Sequence, residues 1–243
     1  AQPLFYNKQI FEELNISPPA TLEELNETIT TLKANGYIPF TLGNSELWPG
    51  GMYAHYLMDR YASPDLIEDI ARGNASFVND NYLKAFNELQ EWGKNYAFNN
   101  NFARILSVNA IHLFNSGEAA MHLNGSWDIT LFQSTDGSDF QQNIGVIPFP
   151  TLNKEEHPSI VGGYAIGIGL SSSLTGLQKI AALELMKAFY TEEVQRRIVY
   201  EAARLPAMDI SYDVNKTGPV YEQVVQLLEQ SKSRFLAYDN VLS

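Results

Sequence analysis

The chain has 243 residues, of which 45% are hydrophobic, enough for one large domain or for one and a half smaller ones. Its 28 acidic and 16 basic residues give a formal charge of −12, and so acidic a surface repels phosphate backbones and anionic lipid, which excludes nucleic acid as a partner. The absence of cysteine removes disulfides, thiolate catalysis and cysteine-bound zinc together.

Helical patterns dominate the chain. The first helix begins at Thr21, which forms a capping box with Glu24, and ends at Gly36. Its apolar residues make one stripe: Leu22, Leu25, Ile29 and Leu32. Further helices are predicted over residues 80–96, 107–115, 177–203 with a break at Thr191, and from Pro219 onward. In the second helix we expect Leu83, Phe86 and Leu89 to face inward and Trp92 to belong to the core.

Short apolar runs between these helices predict strands over residues 38–42, 120–123, 144–147 and 164–168. A polar loop is predicted over residues 153–159. Strands that alternate with helices indicate the α/β fold class.

Motifs that carry chemistry are missing. The four histidines are scattered without an H-x-x-x-H pair, and the chain has no G-x-S-x-G elbow and no phosphate-binding P-loop. We therefore expect no catalytic residue, no metal site and no cofactor. A pair of glycosidase carboxylates stays open, because such carboxylates meet only in space.

Trp127 is the first candidate for ligand binding. The run Asn124-Gly125-Ser126-Trp127 follows a predicted strand and precedes a predicted helix, with Ser126 as N-cap. Open α/β sheets bind ligands at the carboxyl ends of their strands, and an indole ring stacks on the apolar face of a sugar. Packing of Trp127 in the core is the alternative.

Three further segments are candidates. Trp48 lies with Asn44 and Glu46 in a Gly/Pro-containing loop that suits recognition of hydroxyl groups, or that anchors the loop. A turn formed by Gly162, Gly163 and Tyr164 allows backbone N–H groups to approach a ligand, or is only a tight turn. Arg204 either contacts the ligand or pairs with a surface acid.

Several segments together resemble the family 1 extracellular solute-binding proteins, the group that includes maltose-binding protein. They are LFYNKQIF (4–11), PPATLEEL (18–25), FNSGEAAMHLNGSW (114–127), IGVIPFP (144–150), GGYAI (162–166), FYTEEVQ (189–195) and LPA (205–207). Each is weak alone, but their order and spacing over some 200 residues make the resemblance specific.

The resemblance implies a periplasmic-binding-protein-like (type II) fold of two α/β lobes, here mostly the second lobe with part of the first. We expect residues 1–161 and 208–243 to belong to the second lobe and residues 162–207 to cross the hinge. Family members usually carry a preceding first-lobe segment, so we interpret the chain as a fragment. The helix with Leu183, Met186 and Phe189 is then expected to expose an apolar face or to be covered in an oligomer.

By position, the resemblance makes Trp127 the stacking aromatic, and Gly162, Gly163 and Tyr164 the turn that lines the crevice. Residues 44–48 correspond to a ligand-contacting loop. The implied function is non-enzymatic: the extracellular solute-binding component of an ABC importer, which captures a carbohydrate, in particular an oligosaccharide, and delivers it to the permease subunits. The full-length protein is expected to be a monomer, lipid-anchored to the outer face of the cell membrane or periplasmic.

Three rival functions stay open at this point. A sensory ligand-binding domain would use the same fold. A glycoside-active enzyme would turn over its sugar. A carbohydrate-binding module is disfavoured, since such modules are typically small β-sandwiches and this chain is rich in helices.

Overall fold

The computed structural model describes residues 1–133, 139–154, 156–162, 167–238 and 241. The protein is an α/β protein, as the sequence predicts. Its strands are β1 Leu4–Asn7, β2 Ile38–Thr41, β3 Ala119–Leu123, β4 Ile144–Ile147, β5 Ile160–Val161 and β6 Arg234–Phe235. Its helices are α1 Lys8–Glu13, α2 Leu22–Ala34, α3 Trp48–Tyr61, α4 Pro64–Ala71, α5 Asp80–Lys94, α6 Ser107–Asn115, α7 Gly176–Phe189, α8 Glu192–Ala202 and α9 Pro219–Gln230. Within the described ranges, every helix is too short or too polar to cross a bilayer.

Four strands form the main sheet, in the order β2-β3-β1-β4. β2 and β3 are parallel, whereas β1 is antiparallel to both β3 and β4. β4 therefore runs in the same direction as β3, and Leu4 pairs with both Leu123 and Ile147. As a result, the carboxyl ends of β2, β3 and β4 meet at one edge of the sheet, where open α/β sheets bind ligands.

The two faces of the sheet are covered by different helices. Successive residues of a strand point to opposite faces, so Leu4 belongs to one core cluster and Phe5 to the other. Helices α2, α3 and α5 pack in the cluster of Leu4, and α6, α8 and α9 pack in the cluster of Phe5. The sheet is thus the middle layer of a three-layer arrangement.

Helix α2 confirms the predicted cap and stripe. The Thr21 side chain accepts a hydrogen bond from the Glu24 backbone N–H at 3.2 Å, and the Glu24 carboxylate accepts one from the Thr21 N–H at 3.3 Å. Such a cap contributes about 1 kcal/mol. The predicted apolar stripe is buried: Leu22, Leu25, Ile29 and Leu32.

The inward face predicted for α5 is wrong for Leu83 and Phe86, which are exposed. Tyr82, Ala85 and Trp92 are buried instead. These three residues also share one face of the helix. This face is the buried one because its larger aromatic rings pack on α3, with Trp92 edge-on to Tyr53. The prediction that Trp92 belongs to the core is confirmed, and its indole N–H donates to Asn26 Oδ1 at 2.8 Å.

Two local predictions near the sheet edge are corrected. The predicted loop around Trp48 ends at Leu47, because Trp48 is already the first residue of α3. Ser126 is not an N-cap: Gly125 occupies that position, and residues 126–131 form a 3₁₀ helix. Of the strand predicted at 164–168, residues 164–166 lie outside the described residues, and residues 167 and 168 are not in a strand.

The break predicted at Thr191 is present: α7 ends before this residue and α8 begins after it. The Thr191 hydroxyl caps α8, where it accepts a hydrogen bond from the Val194 N–H. α7 contains no buried residue, so the expected exposed apolar face is present, with Leu183 39% and Phe189 42% exposed and Met186 half-buried. α8 instead buries Val199 in the cluster of Phe5. The lobe boundaries at 161 and 207 stay predictions.

Candidate functional site

Two tryptophans meet at the carboxyl edge of the sheet. Trp127 follows β3, and Trp48 follows β2 through a short loop. Their ring centroids are 6.2 Å apart and the rings are inclined by 61°. Trp48 is 43% exposed and Trp127 is half-buried, so neither ring is sealed in the core. The structure thus brings together the two aromatic residues that the sequence singled out separately, and leaves both accessible.

Gly125 allows the Trp127 ring to lie against the backbone. A Cβ atom at position 125 would lie 2.3 Å from the Trp127 ring, well inside van der Waals contact. The Asn124 side chain also holds this segment in place. Its Nδ2 donates to Ser107 Oγ at 3.1 Å, and its Oδ1 accepts from the Gly125 N–H at 2.8 Å. The position of the indole is therefore set by its neighbours.

The loop before Trp48 is docked on the chain just before α6. The Asn44 N–H donates to the Phe102 carbonyl at 2.7 Å, and the Ser45 N–H donates to the Ile105 carbonyl at 3.1 Å. Gly43 makes this approach possible, because a Cβ atom there would lie 2.2 Å from the Leu106 carbonyl oxygen. Trp48 thus starts its helix from a well-anchored loop.

The side chains of Asn44 and Glu46 each accept a hydrogen bond from a backbone N–H at a helix N-terminus. Asn44 Oδ1 accepts from the Gly50 N–H at 2.8 Å in α3, and Glu46 Oε2 accepts from the Ser107 N–H at 3.1 Å in α6. These bonds satisfy N–H groups that a helix leaves free. Asn44 Nδ2 and Glu46 Oε1 make no hydrogen bond within the described ranges, which leaves one polar atom of each for a ligand. Their contact with a ligand stays a prediction.

Of the predicted crevice turn, only Gly162 is described; Gly163 and Tyr164 lie outside the described residues. The Gly162 N–H donates to the Phe235 carbonyl at 3.0 Å and extends the β5–β6 pair. A Cβ atom at Gly162 would lie 3.1 Å from the Arg234 side chain, so the glycine allows the close packing of this pair. Its role toward a ligand stays a prediction.

A buried arginine holds the segment that leads to Gly162. The Arg60 guanidinium donates to the carbonyls of Phe149, Pro150 and Ser159 at 2.8–2.9 Å, and it pairs with Asp59. Burial raises the pKa of the Asp59 carboxyl, against the lowering effect of the adjacent guanidinium. Arg60 thereby ties α3, which begins at Trp48, to the strand that ends before Gly162.

Arg204 is exposed just after α8, and its carbonyl accepts from the Tyr221 hydroxyl at 3.5 Å. No hydrogen bond, ion pair or cation–π contact in the described part of the chain links its side chain to Trp48 or Trp127. A ligand role for Arg204 stays a prediction without structural support.

Sequence reasoning missed two residues on the elements that carry the tryptophan pair or anchor its loops, His55 and Ser107. His55 lies two turns after Trp48 in α3 and is only 7% exposed, and its ring stands edge-on to Tyr238. Neither ring nitrogen has a hydrogen-bond partner among the described residues, and burial lowers the pKa of His55 to about 3. Ser107 was missed as well, although the sequence predicts a helix that begins at this residue.

Two concavities lie elsewhere, along α2. One of about 700 Å³ is lined by Asn26 and Thr30, and one of about 870 Å³ lies beside Glu24 and Lys154. Both are open depressions on a helix surface. We favour the tryptophan pair as the site, since it combines accessible rings, anchored loops and the carboxyl edge of the sheet.

Comparison with known proteins identifies the family of this chain. The family model described as bacterial extracellular solute-binding protein matches residues 1–196. An uncharacterised ABC transporter extracellular-binding protein of Pyrococcus horikoshii is 32% identical over 153 residues, 62% of this chain and 34% of its own. The melibiose/raffinose/stachyose-binding protein of Bacillus subtilis is 24% identical over 66% of this chain and 38% of its own. The chain thus spans little more than a third of these relatives.

Solved structures show the same relationship. A chitin oligosaccharide binding protein superposes with a TM-score of 0.88 at 30% identity, covering 99% of this chain and 60% of that one. A structure from a study of xylan utilisation by Caldanaerobius polysaccharolyticus superposes with a TM-score of 0.90 at 29% identity, covering 100% and 62%. The fold is therefore that of a periplasmic-binding-protein-like solute-binding protein, and the chain belongs to the bacterial extracellular solute-binding proteins, a family of non-enzymatic transport components.

Proposed function

We propose that the protein captures a carbohydrate, in particular an oligosaccharide, and delivers it to the permease subunits of an ABC importer. The observation that carries this proposal is the pair formed by Trp48 and Trp127, two accessible indoles 6.2 Å apart at the carboxyl edge of the sheet. An inclined pair of rings offers one flat face and one edge to a guest. A chain of sugar rings matches it, because each pyranose has an apolar C–H face and a polar rim.

The polar groups beside the rings supply hydrogen bonds to hydroxyls. Asn44 Nδ2 is a donor and Glu46 Oε1 an acceptor, and each residue is fixed through its other side-chain atom. A sugar hydroxyl buried without a partner costs about 1–3 kcal/mol, so these few groups discriminate between sugars. Binding involves no chemical step.

The names of similar proteins support a sugar as ligand. One solved structure at 30% identity is a chitin oligosaccharide binding protein, and a curated relative binds melibiose, raffinose and stachyose. Capture would take place outside the cell, with the protein lipid-anchored or periplasmic. A ligand that contacts both lobes would favour a closed form, which the permease would distinguish from the open one.

Calorimetric titration tests the proposal. Chito-, xylo-, malto- and raffinose-series oligosaccharides are titrated into the product of the complete reading frame and into the 243-residue chain. We expect the complete product to bind at least one series. We expect Trp127→Ala to lower that affinity at least tenfold, equivalent to about 1.4 kcal/mol, because the stacking surface is lost.

A matched control removes an aromatic ring elsewhere. Tyr96 is 68% exposed at the end of α5, and Tyr96→Ala should leave the affinity unchanged. Absence of binding across all series, or equal affinity of the wild type and Trp127→Ala, would contradict the proposal.

A further inference from the structure

A buried histidine–aspartate pair lies beside Trp127 in the chain. His122 belongs to β3 and is 3% exposed, and Asp128, the residue after Trp127, is 6% exposed. His122 Nε2 lies 2.8 Å from Asp128 Oδ2, and the imidazole N–H is the donor, since a carboxylate only accepts. Because both side chains are buried, any effect of the pair on a ligand has to pass through a neighbouring residue.

The imidazole of His122 lies in apolar surroundings. Its ring contacts those of Phe5, Phe114 and Phe132, and Phe5 is its partner in the β1–β3 register. A polar ring at such a place costs free energy unless it is hydrogen-bonded, and an apolar side chain would pack there without needing a partner. Stability alone therefore does not favour a histidine here. What the bond to Asp128 supplies is one fixed orientation.

Trp127 and Asp128 lie on opposite faces of the sheet. Trp127 packs against the core cluster of Leu4, whereas Asp128 is bonded to His122 on the face of Phe5. Consecutive side chains of a 3₁₀ helix point about 120° apart, because one turn takes three residues. The direction of the Asp128 carboxylate thus determines the direction of the Trp127 ring.

The helix that carries both residues depends on its side-chain contacts. Residues 126–131 form a 3₁₀ helix, whose hydrogen bonds are poorly aligned and which is seldom this long. At its far end the Asn115 amide donates to the Leu131 carbonyl at 2.8 Å. The bond to Asp128, by contrast, holds the residue directly next to Trp127. It is therefore placed to control how the helix is turned about its own axis.

We infer that His122 and Asp128 are positioning residues that hold the Trp127 ring in its accessible place beside Trp48 and thereby set the affinity for the sugar. The inference rests on the proposed function, in which Trp127 stacks on the ligand. Without the bond, the carboxylate would turn toward water, and the neighbouring indole would turn with it.

Nuclear magnetic resonance and calorimetry on the product of the complete reading frame test the inference. The indole N–H resonance of Trp127, assigned by its absence in Trp127→Phe, reports the surroundings of the ring without any ligand. In His122→Leu this resonance should shift or split, because Asp128 loses its partner. The affinity for the sugar should fall about tenfold, as expected for Trp127→Ala.

Two more variants separate the hydrogen bond from the ring that makes it. His122→Gln places an amide N–H at a similar reach, so it should restore the resonance and most of the affinity. Asp128→Ala breaks the same bond from the other side and should reproduce both changes of His122→Leu. It also decides the question if His122→Leu does not fold.

Asn115→Leu is the matched control. It removes a buried hydrogen bond at the far end of the same helix, so its melting temperature should fall, as that of His122→Leu does. The Trp127 resonance and the affinity should nevertheless stay as in the wild type. A role in stability alone would give the same result in Asn115→Leu and His122→Leu.

Three results would overturn the inference: a wild-type Trp127 resonance in the variants that break the bond, no recovery in His122→Gln, or equal changes in Asn115→Leu. If the resonance changes as expected but Trp127→Ala binds sugar like the wild type, the proposed function fails and the positioning of the ring stands. If Trp127→Ala loses affinity while His122→Leu and Asp128→Ala keep it, the proposed function stands and the inference fails.

Discussion

Replacing His55 by Phe should remove a large part of the protein's loss of stability in acid. His55 is buried and its pKa lies at about 3, whereas the ordinary value in an unfolded chain is 6.5. The folded protein keeps the imidazole neutral, so only the unfolded chain takes up the proton as the pH falls below 6.5. The free energy of unfolding therefore decreases from there down to pH 3.

The magnitude follows from these two pKa values. Between pH 8 and pH 5 the contribution of His55 to the free energy of unfolding falls by about 2 kcal/mol, and below pH 3 the loss reaches about 5 kcal/mol. Asp59, one turn further along α3, acts in the opposite direction, because burial raises its pKa and the folded state then binds the proton first. Its effect is common to the wild type and the variant and cancels in the difference.

Urea denaturation followed by circular dichroism at pH 8, 7, 6 and 5 measures the effect. The wild type should lose about 2 kcal/mol more than His55→Phe over this range. His112 is exposed, so His112→Phe serves as the control and should follow the wild type. Identical pH profiles of the wild type and His55→Phe would refute the reasoning, since they would mean that His55 titrates normally in the folded protein.

Three further predictions concern the residues that hold the site. Arg60→Met should lower the free energy of unfolding by about 3 kcal/mol or more, because Asp59 and three carbonyls lose their partner, whereas Arg72→Met in an exposed pair should cost less than about 0.5 kcal/mol in the same urea titration. Gly43→Ala should lower the melting temperature by several degrees, since its Cβ atom would collide with the Leu106 carbonyl; an unchanged value would show that the loop is not tightly docked. Gly125→Ala should weaken carbohydrate binding in calorimetry at least as much as Trp127→Ala, because the indole has to leave its place; wild-type affinity would contradict this.

The sequence predicted the elements whose signals are local. The capping box at Thr21 and the proline at the start of α9 mark helix starts through nearby residues, and both helices are present. The prediction of the buried face of α5 was wrong because Leu83 and Tyr82 belong to two adjacent stripes of the helix. Only the packing surface of α3 determines which of the two stripes is buried. Periodicity alone does not contain that information.

For the candidate site, the sequence singled out Trp48 and Trp127 as possible ligand-binding residues but not their contact. Their separation of 79 positions is bridged only by the order of the strands in the sheet, which no local pattern reveals. The helix-capping roles of Asn44 and Glu46 were hidden for the same reason, as each depends on a partner in another segment or beyond a loop. The unpartnered imidazole of His55 also emerges only from three-dimensional burial.

The spacing of the two indoles has an optical consequence. Electronic transitions of aromatic chromophores 6.2 Å apart couple, so this pair should give a split signal in ultraviolet circular dichroism that depends on the angle between the rings. Trp92, buried and hydrogen-bonded to Asn26, sits apart from that pair as a constant background. A change in this split circular dichroism signal should therefore report a ligand that alters the distance or angle between the two accessible rings.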